Sequence, residues 1–70
     1  MKKQIDISGM SCNNCVKHVT EALEELEGVK NVKVSLKDKN AIIEVDNVAD
    51  ENLTNAIEEV GYEVTGIKSI

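Results

Sequence analysis

The chain has no tryptophan, no phenylalanine, no proline and no arginine, and Tyr62 is its single aromatic ring of the Phe, Tyr and Trp class. Each absence removes a class of function. Nucleic-acid binders stack bases on aromatic side chains and neutralise phosphates with clustered Lys and Arg. With eight lysines against thirteen acidic residues and a net charge of −5, neither device is on offer. The same balance argues against an anionic membrane surface as partner. No apolar run approaches the roughly 20 residues needed to cross a bilayer as a helix, so membrane insertion is not expected. The opening Met1-Lys2-Lys3-Gln4-Ile5-Asp6 has the basic residues of an export signal but no apolar stretch behind them. If nothing precedes it, the chain is expected to stay in the cytoplasm.

Cysteine is also scarce, with only Cys12 and Cys15, spaced C-x-x-C. In a reducing compartment such a pair points to metal binding or catalysis ahead of a structural disulfide. One histidine, His18, does not complete the four protein ligands of a closed zinc site.

What is present is mostly Val, Ile and Leu, patterned from end to end without a linker or repeat. Seventy residues make one domain, 1–70, that buries only about 60% of its unfolded surface. Ile5 and Ile7 alternate with Gln4, Asp6 and Ser8 as a short strand. Val16, Val19, Ala22, Leu23 and Leu26 recur at helical spacing, with Ser11 or Asn13 expected as cap and Gly28 just past the end. Val32, Val34 and Leu36 form a second strand, and Lys37-Asp38-Lys39-Asn40 a polar hairpin connection. Ala41, Ile43 and Val45 give the inner face of a third. Asp50 is expected to cap a second helix with the apolar face Leu53, Ala56, Ile57 and Val60, stopped by Gly61. Tyr62 opens a last strand with Val64 and Ile67. The order β-α-β-β-α-β, with right-handed crossovers, predicts an α+β ferredoxin-like sandwich: two helices on one face of a four-stranded antiparallel sheet. That fold is used for many purposes and names none by itself.

The thiols sit in Gly9-Met10-Ser11-Cys12-Asn13-Asn14-Cys15, between the first strand and the first helix. There, unpaired backbone N–H groups and the helix dipole favour negative charge, so thiolates should form readily. Thiolates select soft ions such as Cu(I) and Zn(II). Two sulfurs alone suit an ion content with two-coordinate, near-linear geometry, which describes Cu(I) and also Hg(II). A dithiol oxidoreductase uses the same spacing, but those resembling thioredoxin need a longer scaffold and a cis-proline, and this chain has no proline.

The segment 9–15 resembles the G-M-x-C-x-x-C motif of heavy-metal-associated domains. The resemblance continues through Leu26-Glu27-Gly28-Val29 and Ile57-Glu58-Glu59-Val60-Gly61-Tyr62, and so covers essentially the whole chain. Within that family it looks like the free-standing bacterial copper chaperones. The resemblance implies a binding protein, not an enzyme, that carries Cu(I) on Cys12 and Cys15 to the similar domains of a copper-transporting P-type ATPase. The apo protein is expected to be a monomer, and a metal-bridged dimer stays open for the loaded form. An excised domain of such an ATPase, or a mercury-binding relative, would share the pattern. Many of the bacterial chaperones have His before the second cysteine. Asn14 stands there in this chain, so no role of that His carries over. Ser11 occupies the place where some zinc- and cadmium-transport relatives have Asp, which favours the monovalent ion.

Three neighbours complete the expected site. Met10 is read as turning inward to anchor the loop, since a thioether packs well in a core. Tyr62 is expected near the thiols, either with its hydroxyl free to approach sulfur charge or in a purely structural role, and the sequence does not choose between the two. His18 is read as a boundary side chain of the helix and not a third ligand. Lys17 is solvated, close enough to soften the net −1 of a bis-thiolate Cu(I) unit.

Overall fold

In the computed structural model, which describes residues 1–70, six elements follow in the expected order: β1 (Lys2–Ser8), α1 (Asn13–Glu24), β2 (Val29–Ser35), β3 (Asn40–Val45), α2 (Asp50–Glu59) and β4 (Glu63–Ser69). The strands form one antiparallel sheet in the order β2-β3-β1-β4. This is the ferredoxin-like arrangement, with β1 in the middle and its C-terminal end feeding directly into the cysteine loop.

The pleat sends alternate side chains to opposite faces. Ile5 and Ile7 of β1, together with Ala41, Ile43 and Val45 of β3, face the helices and are buried. Val19, Ala22 and Leu23 of α1 and Leu53, Ala56 and Ile57 of α2 meet them. Met10 is the remaining buried residue. All twelve buried residues are apolar, so no titratable group is committed to the core and all charge chemistry lies at the surface. No helix is long and apolar enough to cross a membrane.

Several details depart from the sequence expectations. Neither Ser11 nor Asn13 caps α1. The cap position is held by Cys12, in extended backbone conformation and without a side-chain hydrogen bond to the helix. Its carbonyl accepts from the N–H groups of Cys15 (3.1 Å) and Val16 (3.4 Å), and that fixes the start one residue beyond Ser11. Likewise Ala49 caps α2, and Asp50 lies in the first turn with Glu51, where carboxylates favour the positive end of the helix dipole. Asp50 also pairs with Lys3.

The second strand starts at Val29, earlier than the alternation suggests, because Asn31 adopts positive φ (52°) and shifts the pairing register between Lys30 and Lys33. Leu36 falls in the turn and Asn40 already belongs to β3. Val60, assigned to the apolar face of α2, is 39% exposed because the helix ends at Glu59. Tyr62 precedes β4 by one residue.

Gly28 closes the turn between α1 and β2 at φ 87°, and its carbonyl accepts from the Asp46 N–H at 2.8 Å. A Cβ at this position would lie 2.6 Å from the Asp46 carbonyl oxygen and 2.7 Å from Val48 Cγ2. Gly61 has a similar φ of 94° but open space around it. Gly28→Ala is therefore expected to cost more than Gly61→Ala. The first combines a backbone clash with strain, on the order of 2–4 kcal/mol in all, and the second carries strain alone, about 1 kcal/mol. Urea unfolding of the two variants checks the order, and equal losses would contradict it.

Candidate metal centre

The loop that carries the thiols is fixed at both ends. On one side β1 runs out at Ser8 and the chain turns at Gly9, whose φ of 98° favours a residue without Cβ. On the other side Cys12 caps α1 and Cys15 lies in its first turn. Between them Met10 is only 4% exposed and belongs to the core cluster with Ile5, Ile7, Leu53 and Ile57. Its thioether turns inward as expected, and the loop hangs from that anchor. Ser11, Cys12, Asn13 and Asn14 are exposed, and Cys15 is half-buried against the core.

Both cysteines are free thiols, with Cys12 Sγ 3.3 Å from Cys15 Sγ. The Cys15 thiol is lowered from 9.0 to about 6. The Ser11 main-chain amide is the largest cause, followed by the Tyr62 hydroxyl and the Cys12 thiol, with partial burial opposing them. Cys15 is therefore a thiolate at neutral pH. Tyr62 shows the reciprocal effect: hydrogen bonding with Cys15, then burial, then the charges of the two sulfurs push its phenol up to about 12. The ring of Tyr62 packs over Gly9, where an added Cβ would lie 3.6 Å from Cδ1. Its hydroxyl lies 3.4 Å from His18 Nδ1. Thus Met10, Ser11, Cys12, Cys15 and Tyr62, singled out in the sequence, do come together at one end of the sheet.

His18 is exposed and engages Tyr62. No group of three or more His, Cys, Asp or Glu side chains that could hold a metal ion converges anywhere in the fold, the dithiol included. An open groove of about 500 Å³, lined by Ser8, Gly9, Glu58, Gly61, Tyr62 and Glu63, runs beside it. The larger groove, about 650 Å³, lies on the far side of the sheet around Lys2, Lys33, Ile42 and Ile70, away from both sulfurs.

Two features of the site have no counterpart in the sequence pattern. Ser11 acts through its backbone amide, to which its side-chain identity is irrelevant. The Tyr62–His18 contact joins residues 44 apart; no local periodicity reports it. The Gly9-Met10 pair was the available signal for the loop's shape.

The sequence model of the heavy-metal-associated domain matches residues 4–63. The copper chaperone CopZ of Enterococcus hirae is 43% identical over 65 residues, covering 90% of this chain and 94% of that protein. Two longer proteins carry similar stretches. A mercuric reductase of Lysinibacillus sphaericus is 37% identical over 99% of this chain, which spans 13% of that enzyme. A probable copper-exporting P-type ATPase of Archaeoglobus fulgidus is 36% identical over 91% of this chain, which spans 8% of it. Among solved structures, a CopZ metallochaperone superposes with a TM-score of 0.88 at 31% identity, covering 93% of this chain and all of that one.

The depressed Cys15 thiol gives a direct test of the site's electrostatics. In the metal-free protein, alkylation of Cys15 should rise with pH through a midpoint near 6, where an unperturbed thiol would give 9.0. Tyr62→Phe removes a cause that lowers the value, so its midpoint should move upward. Mass spectrometry of pulse-alkylated protein reads both. A midpoint at the ordinary thiol value in the unsubstituted protein would contradict the assigned hydrogen bonding.

Proposed function

The chain belongs to the heavy-metal-associated domain family, and on that footing we propose that residues 1–70 form a single-domain copper chaperone. In this reading it binds Cu(I) through Cys12 and Cys15 and passes it on by ligand exchange. The observation that carries this is the pair of free sulfurs 3.3 Å apart on an exposed loop with no third side-chain ligand beside them. Soft thiolates favour Cu(I), and two of them satisfy an ion that is content with low coordination.

Both sulfurs are required, but they are not equivalent. Cys15 sits in the helix's first turn as a thiolate stabilised by the Ser11 amide, and is the firmer ligand. Cys12 is exposed on the loop and is the first to be released. A linear S–Cu–S arrangement requires the two sulfurs to move apart from 3.3 Å, with the exposed Cys12 the one to shift.

Delivery then begins with an incoming partner thiolate that bonds to the ion and makes it three-coordinate, after which the Cu–Cys12 bond breaks. A second exchange frees Cys15. Each step trades one Cu–S bond for another, with no change in oxidation state and no covalent chemistry on a substrate, as befits a protein that is not an enzyme. The partner must present thiolates of its own. The similar stretch in a copper-exporting P-type ATPase supports the metal-binding domains of such a transporter, met in the cytoplasm. The apo protein is a monomer in this account, and a second copy can serve as the incoming thiolate donor, giving a metal-bridged dimer.

A mercury-binding role is the second reading, favoured by the similarity to a stretch of a mercuric reductase and by the geometry that Hg(II) shares with Cu(I). An excised ATPase domain would have the same chemistry in a different covalent setting.

Competition of Cu(I), Zn(II) and Hg(II) against chromogenic chelators tests the assignment. One Cu(I) per chain should bind tightly, and Cys12→Ser or Cys15→Ser should each abolish that site. Circular dichroism should remain unchanged, because the core cluster consists of other residues. A doubly substituted protein that still held Cu(I) as strongly would refute the proposal, and a preference for Hg(II) with weak Cu(I) binding would favour the second reading.

A further inference from the structure

His18 has no part in ion carriage as described so far, yet its place is specific. It lies one turn beyond Cys15 on α1, and its Nδ1 is 3.4 Å from the Tyr62 hydroxyl oxygen. The Tyr62 ring is held over Gly9 of the thiol loop and packs against the core cluster, and its hydroxyl is among the hydrogen-bond partners that lower the Cys15 thiol. A phenol has one proton to give and can also accept. It can therefore accept from an imidazole N–H while it directs its own proton at a sulfur. Hydrogen bonds in such a chain polarise one another, each strengthening the next.

We propose, on the footing of the copper-carrying role above, that His18 is a positioning residue, which donates its Nδ1–H to Tyr62 Oη and thereby turns the phenolic proton toward Cys15 Sγ. The imidazole touches neither sulfur nor ion. The arrangement needs only a proton on Nδ1, which one neutral tautomer and the imidazolium both supply. Its effect is on retention: the phenolic proton disperses the charge that two thiolates and one monovalent ion leave on the site. Loss of one such hydrogen bond corresponds to about a three- to tenfold change in an equilibrium or release ratio. A direct-ligand role for His18 would differ in one respect, because it would survive the loss of the Tyr62 hydroxyl, whereas a positioning role would not.

A double-mutant cycle separates these. His18→Ala, Tyr62→Phe, the combination and His18→Asn are compared for Cu(I) release to a chelator, and the same proteins are compared metal-free by fluorescence. With no tryptophan or phenylalanine in the chain, Tyr62 is the sole emitter. The expected result is release about three- to tenfold faster in His18→Ala, no further change when His18→Ala is added to Tyr62→Phe, and recovery in His18→Asn, whose amide N–H can replace Nδ1–H. Emission should brighten in His18→Ala, since a phenol whose proton points at a basic sulfur is quenched, and should dim again in His18→Asn. An undiminished His18→Ala effect in the Tyr62→Phe background, no effect on release, or unaltered emission overturns the proposal. If the unsubstituted protein holds no Cu(I), the copper-carrying role falls and the metal-free emission series alone decides. Brightening reversed by asparagine then upholds the positioning role, and unchanged emission overturns it.

Discussion

The turn from β1 into α1 is the constraint on which the rest depends. A helix start leaves its first N–H groups without intrahelical partners, and most sequences cover them with a Ser, Thr, Asp or Asn side chain at the cap. Here the cap is Cys12, which makes no side-chain hydrogen bond to the helix. The donors and the positive end of the dipole remain available to sulfur charge, and the Ser11 amide is the largest influence on Cys15. The site is thus a helix start without a side-chain cap, where the amides that lower Cys15, Ser11 first, come from the turn just before the helix.

Such a loop must be both exposed and fixed, and the two demands are met by different residues. Met10 is buried with the core cluster, and Gly9 makes the turn that brings it there. The sulfurs lie only two and five positions further on, one exposed and one half-buried. The core is wholly apolar and neither thiol belongs to it, so the thiols can be altered without removing a core side chain. In the proposed role, the exposure needed for hand-over also limits how many protein groups can surround an ion, so low coordination and transfer go together.

Much of this was legible in the sequence because it is local. The inward positions of β1, β3, α1 and α2 followed from periodicities of two and 3.6, and they recur as the buried set Ile5, Ile7, Val19, Leu23, Ala41, Ile43, Val45, Leu53 and Ile57. The C-x-x-C pair and the inward Met10 were legible for the same reason. What escaped is set by tertiary structure or by backbone alone. Both helices start one residue away from the side chains that suggested their caps, because the backbone hydrogen bonds, with Cys12 and Ala49 as acceptors, fix the first turn. The Asn31 bulge rests on a left-handed backbone that Asn tolerates but does not announce. The Ser11 amide is invisible to any reading of side chains, and the Tyr62–His18 contact joins two helix–strand units far apart in the chain.

The central claim is that two sulfurs, and no other group of this chain, hold the ion. X-ray absorption at the copper edge of monomeric protein loaded with less than one equivalent of Cu(I) measures that directly. Two sulfur neighbours and nothing else is the result this account requires, with a third sulfur appearing only when an external thiol is added. A nitrogen neighbour from His18, or a third sulfur in the monomer without added thiol, would contradict it.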